Sequence, residues 1–137
     1  MSLAVVDAST LVALLADAGD LGEWARRTLA TQDLAAPHLV LFETANVLRR
    51  HARRGVLSED QAALAHAELV TLPVELWPYD QVARRAWQLR ANASVYDAAY
   101  LALAELLDAP LVTLDAGLTR VPGTHCDVLA PSRRLHE

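Results

Sequence analysis

Short apolar runs that stop abruptly, separated by longer stretches of helical periodicity, constrain this chain most. Leu3–Val6, Val74–Trp77 and Leu111–Leu114 each span four residues, and Asp33–Ala36 and Asp127–Leu129 are weaker runs of the same kind. Between them, Ser9–Ala16, Leu21–Ala30, Pro37 to about Arg54, Ser58 to about Thr71, Tyr79–Arg90 and Ser94–Leu107 carry helical signals. The resulting order is β-α-α-β-α-α-β-α-α-β-β. Strands this short and apolar are buried on both faces. They indicate a parallel sheet between two helical layers, a three-layer α/β/α domain. Pro37 suits a first helical turn and Gly55 the end of that helix. Ser58, followed by Glu59 and Asp60, suits the next helix start.

At 137 residues the chain is expected to form one domain, residues 1–137. It holds 26 alanines and only 5% aromatics, so its core is built from Ala, Leu and Val. No apolar run approaches the roughly 20 residues of a membrane-spanning helix. Met1–Asp7 has no basic leader region, so no signal peptide is expected. The lone Cys126 has no internal disulfide partner, which favours a reducing, cytoplasmic setting. All 12 basic residues are Arg. Without Lys, P-loop phosphate binding and Schiff-base chemistry are excluded. A net charge of −5 excludes a general polyanion binder, so contact with nucleic acid requires a local patch or a bound cation.

Four carboxylates stand out. Asp7 and Asp115 each close an apolar strand, where parallel sheets place their ligands. Glu43 falls near the second turn of its helix and Asp97 in the first turn of another. Each has a plainer explanation. Asp7 suits a helix cap and Asp115 a turn or cap. Asp97 suits a capping-box variant with Ser94, and Glu43 an exposed stripe with Asn46 and Arg50. Taken together, all four are expected to converge at one edge of the sheet. Two carboxylates 4 Å apart repel by about 4 kcal/mol at an effective dielectric of 20. A hard divalent cation relieves this, Mg²⁺ or Mn²⁺ rather than Zn²⁺. His38, His51, His66, His125 and His136 show no metal-ligand spacing and are read as surface residues.

Val-Val-Asp-Ala-Ser, Leu-Phe-Glu-Thr-Ala-Asn-Val-Leu, Val-Tyr-Asp-Ala-Ala-Tyr-Leu-Ala-Leu-Ala-Glu and Pro-Leu-Val-Thr-Leu-Asp follow one another over nearly the whole chain. This succession resembles the PIN-domain ribonucleases, and most of all the VapC-type toxins of bacterial toxin–antitoxin pairs. The resemblance implies a parallel sheet ordered 3-2-1-4-5. It places the family's acidic quartet on Asp7, Glu43, Asp97 and Asp115, which would be catalytic and hold Mg²⁺ or Mn²⁺. Ser9 and Thr113 fall on the small hydroxyl positions that support the site. The implied partners are an RNA substrate, a cognate VapB-type antitoxin and a second copy in a homodimer, with no membrane. Some members carry a further acid after the last Asp, whereas Ala116 and Gly117 stand here. A second metal is therefore expected to bind weakly, or only with RNA.

Arg49, Arg50, Arg53 and Arg54 close the Glu43 helix. They either complement its dipole or, through Arg50 and Arg54, grip RNA phosphate. Trp24, Trp77 and Trp87 are read as core or interface residues. The alternatives are a housekeeping PIN nuclease and a non-catalytic PIN-like module. A receiver-type phosphoacceptor needs a Lys, which this chain lacks.

Overall fold

The apolar runs form the strands, and the periodic stretches form the helices around them. The structure, a computed structural model, describes residues 2–132. His136 lies outside the described residues. Strand β1 (Ser2–Val6) leads into α1 (Ala8–Ala16) and α2 (Asp20–Leu29). Then come β2 (Gln32–Pro37), α3 (Leu39–Arg53), α4 (Glu59–Thr71) and β3 (Val74–Trp77). A 3₁₀ turn (Tyr79–Gln81) precedes α5 (Ala83–Gln88) and α6 (Val95–Leu107). Strand β4 (Leu111–Val112), a second 3₁₀ turn (Ala116–Arg120) and β5 (Val128–Leu129) complete the fold.

All strand pairs are parallel and the order is β3-β2-β1-β4-β5, as the resemblance implies. Val6 is in register with Val112, so the segments beyond β1 and β4 leave the sheet side by side. This is the topological switch point of a three-layer α/β/α fold. Helix α6 packs on β1, β2 and β4, and every residue from Ala98 to Ala104 is buried. Its alanines let the helix approach the sheet closely, which holds Asp97, one residue upstream, over the strand ends. Thr10 of α1 is fully buried, and its hydroxyl donates to the Val112 carbonyl at 2.9 Å. That bond ties α1 directly to β4. Among the described residues no helix is long and apolar enough to cross a membrane.

Several boundary signals act as expected. Gly55 adopts φ 74°, and Val56 and Gly55 donate back to the His51 and Ala52 carbonyls. This is the Schellman arrangement that ends a helix. Ser58 caps α4, with Gln61 completing the box.

Three expectations need correction. Pro37 closes β2, in register with Trp77, and α3 starts only at Leu39. Proline's missing N–H is tolerated where the strand stops pairing. The stretch Tyr79–Arg90 is not one helix. Val82, buried and held at φ −120°, ψ 0°, separates the 3₁₀ turn from α5. Strand β4 covers Leu111–Val112 rather than Leu111–Leu114. The amides of Leu114 and Asp115 donate to the hydroxyls of Ser9 and Thr113 instead of to a neighbouring strand.

Replacing Thr10 by Val removes the donor to the Val112 carbonyl. The variant should lose about 1–2 kcal/mol of stability in a urea titration, with an unchanged m-value. An unchanged midpoint would show that this bond does not hold α1 to β4.

Candidate active site

Asp7 is the most constrained acid. It is 8% exposed. Its Oδ1 accepts from the Ser9 hydroxyl at 2.7 Å and the Thr10 amide at 3.1 Å. Its Oδ2 accepts from the Thr113 hydroxyl at 2.5 Å. Both hydroxyls also accept from the far side. The Leu114 amide donates to Ser9 Oγ and the Asp115 amide to Thr113 Oγ1, each at 3.0 Å. Two parallel relays therefore run from the end of β4 to one carboxylate. Asp7 does cap α1, yet the cap uses only part of its bonding.

Glu43 sits on α3 and is half-buried, whereas Asn46 and Arg50 are exposed. Its Oε1 accepts from the Tyr100 hydroxyl of α6 at 2.5 Å. The exposed-stripe explanation therefore fails. Burial raises the Glu43 carboxyl above its ordinary range, the Tyr100 bond pulls it back, and the charges of Asp7 and Asp97 raise it further. Asp97 is raised by burial first, then by Asp115 and Asp7, with Ser94 opposing. Ser94 caps α6 by accepting from the Asp97 amide at 3.1 Å. Asp115 is exposed, and its Oδ1 accepts from the Gly117 amide at 2.8 Å.

The four acids thus share one electrostatic neighbourhood, since the charge of each reaches at least one other. The donor set consists wholly of carboxylate oxygens, the chemistry a hard divalent cation selects. Among the described residues, however, no three acids are gathered tightly enough to hold an ion as the side chains stand. Hydrogen bonds fix Asp7 itself.

Arg50 and Arg54 are exposed at the far end of α3, and neither forms an ion pair among the described residues. His38, His66 and His125 are exposed, while His51 is half-buried. Trp87 is 58% exposed, with the Arg90 guanidinium 4.6 Å above its ring, so it is not a core residue of this chain. Sequence reasoning missed Tyr100. Burial and the Glu43 carboxylate push its phenol well above the ordinary range, so it stays a donor. Its position three residues after Asp97, on the same helical face, was the available signal.

The family model of the PIN domain matches residues 4–124. The chain belongs to the PIN-domain family. Ribonuclease VapC9 of Mycobacterium tuberculosis is 39% identical over 129 residues, 94% of this chain and 98% of its own length. The crystal structure of PAE2754 from Pyrobaculum aerophilum superposes with TM-score 0.66 at 27% identity, covering 93% of this chain and 83% of that one. VapBC2 from Rickettsia felis, bound to a promoter DNA fragment, shares the fold with TM-score 0.67 at 14% identity, covering 95% and 99%. PIN-domain nucleases are hydrolases, and this chain is an enzyme of that class.

The raised carboxyls of this PIN domain have a consequence for stability. Folding keeps protons on Glu43 and Asp97 that the unfolded chain releases. Their contribution is fully present below the ordinary carboxylate range and is lost as pH rises through the raised values. With a chelator present, Asp97→Asn should melt with the parent at low pH and above it at neutral pH. Equal melting at both pH values would remove the repulsion.

Proposed function

We propose that this protein is a metal-dependent endoribonuclease and the toxin of a type II toxin–antitoxin pair, with residues 1–137 forming one PIN domain. The observation that supports the reading is the mutual charge effect among Asp7, Glu43, Asp97 and Asp115 beside the carboxyl ends of β1 and β4, in a chain whose relatives are VapC ribonucleases. These four carboxylates would hold Mg²⁺ or Mn²⁺. Such an ion supplies a water of lowered pKa and offsets charge at the scissile phosphate. Ser9 and Thr113 donate to the Asp7 carboxylate and fix its orientation. Tyr100 holds the Glu43 side chain toward the other acids. Arg50 and Arg54 are candidates for gripping RNA phosphate at the margin of the site.

The partners belong to the same reading. A toxin–antitoxin complex from Klebsiella pneumoniae shares the fold with TM-score 0.60 at 21% identity, and a VapB-type antitoxin is proposed here, with α1 and α2 as walls of its groove. A homodimer and a cytoplasmic location complete the proposal.

Asp7→Asn, Asp97→Asn and Asp115→Asn should each remove most cleavage of a labelled RNA in Mg²⁺. Thr113→Val, which only loosens Asp7, should lower the rate about 10- to 100-fold. An Asp97→Asn protein that cleaves at the parent rate sinks the assignment.

Expressed alone, the protein should arrest growth, and a small protein encoded upstream should relieve the arrest. Asp7→Asn should grow normally. If parent and variant arrest growth equally, the nuclease is not the cause. If neither affects growth, a housekeeping RNA-processing nuclease replaces the toxin reading.

A further inference from the structure

The chain's 12 Arg and 17 acids yield a single ion pair among the described residues, Arg85 of α5 with Glu105 of α6. The guanidinium grips both carboxylate oxygens. Nε donates to Oε1 at 2.7 Å and Nη2 to Oε2 at 3.2 Å. The Glu105 side chain is 13% exposed. Freely exposed ion pairs contribute little, but a forked, partly buried one fixes geometry. This pair also holds backbone. Arg85 Nη2 donates to the Gly123 carbonyl at 2.6 Å, and the His125 amide donates to Glu105 Oε2 at 2.8 Å. The Asn92 side-chain amide donates to the Pro122 carbonyl at 3.2 Å. Side chains from α5, from α6 and from the connection between them therefore clamp residues 122–125.

The clamped segment leads to the acids. It joins the 3₁₀ turn that follows Asp115 to β5. Strand β5 is two residues long, lies at the sheet edge and pairs only with β4. Two residues is below the usual strand length, so β5 needs support from outside the sheet. Its Leu129 carbonyl accepts from the Thr113 amide at 3.0 Å. The Thr113 hydroxyl in turn donates to Asp7 and accepts from the Asp115 amide. Asp115 is exposed, and its own hydrogen bonds among the described residues stay within residues 113–118. Those bonds cannot set its distance from α6. Yet α6 carries Asp97, and Asp115 is the charge that bears most on Asp97. Glu105, in the last turns of that same helix, supplies the missing tie.

We infer that Arg85 and Glu105 are positioning residues, whose clamp holds Thr113 and Asp115 in place relative to Asp97 against the repulsion between the two carboxylates. This rests on the reading that the four acids hold a divalent cation in an RNA-cleaving site. Neither Arg85 nor Glu105 belongs to that acidic group, so each acts through the backbone it holds.

The test compares the full-length parent with Arg85→Gln and Arg85→Lys. Gln is too short to bridge Glu105 and Gly123, whereas Lys keeps the charge and loses the fork. Hydrogen exchange without metal reads the amides of Leu114, Asp115 and Gly117, with those of α4 as reference. In Arg85→Gln the three site amides should exchange about 10-fold faster while α4 is unchanged. Arg85→Lys should fall between. Mn²⁺ binding, followed by the paramagnetic resonance of the free ion, should weaken about 10-fold in Arg85→Gln. Cleavage of a labelled RNA should need correspondingly more Mg²⁺, and saturating Mg²⁺ should restore the parent rate with KM for RNA unchanged. Site amides and Mn²⁺ affinity equal to the parent's overturn the proposal. So does equal acceleration at the site and in α4, which would make the pair a general stabiliser. Should Arg85→Gln not fold, Arg85→Lys decides on the same measurements. If the parent binds no Mn²⁺ and cuts no RNA while its site amides still respond to the Arg85 variants, the metal-nuclease reading fails and the positioning assignment stands.

Discussion

The site depends on holding one buried carboxylate, Asp7, in a single orientation while other carboxylates crowd it. A lone carboxylate at 8% exposure is costly unless its oxygens are satisfied. Here Oδ1 accepts two hydrogen bonds and Oδ2 one, and these donors set the local geometry. Two of them, Ser9 and Thr113, also accept from the amides that follow β4. Strand β4 stops pairing after Val112 because its next amides are needed at the site. The short strand and the fixed carboxylate are therefore one feature.

The repulsion among the acids is carried by the fold as a whole. Glu43 and Asp97 are both raised by burial and by neighbouring charge, so this edge of the sheet is under electrostatic strain. What opposes it is the core beneath. Val5, Val6, Leu111, Val112 and the buried face of α6 pack at 0 to 4% exposure. Burying a side chain of Val or Leu size contributes about 1.5–3 kcal/mol. A few such side chains outweigh a carboxylate pair in partial solvent. The abundance of alanine serves the same end, since helices with small side chains sit close to the sheet.

Features encoded locally were legible in the sequence. An apolar run ending in an acid needs no distant information, so β1, β4, Asp7 and Asp115 were readable directly. The cap at Ser58 and the stop at Gly55 were equally local. The motifs that resemble PIN domains supplied the strand order, which local patterns could not. Contacts between distant segments were hidden. Tyr100 and Glu43 are 57 positions apart, and Thr113 and Asp7 are 106 apart. The spacing of Tyr100 from Asp97 puts it on the site face of α6, but its actual partner, Glu43, comes from a different helix. Tyr79–Arg90 misled for the opposite reason. Its helical propensity is real, but burial of Val82 outweighs it.

On the proposed reading, an acidic protein must hold an acidic substrate. With a net charge of −5 and four acids at one edge, long-range attraction to RNA is absent. A divalent ion among the carboxylates would reverse the sign of the field at the point where the phosphate arrives. Beyond it, the Arg residues of α3 lie exposed and without ion pairs among the described residues, so binding phosphate breaks no existing contact. Affinity gathered from one cation and a few unpaired guanidiniums would be confined to one edge of the molecule. The rest of the surface would continue to repel RNA, so strands would not be held where they cannot be cut.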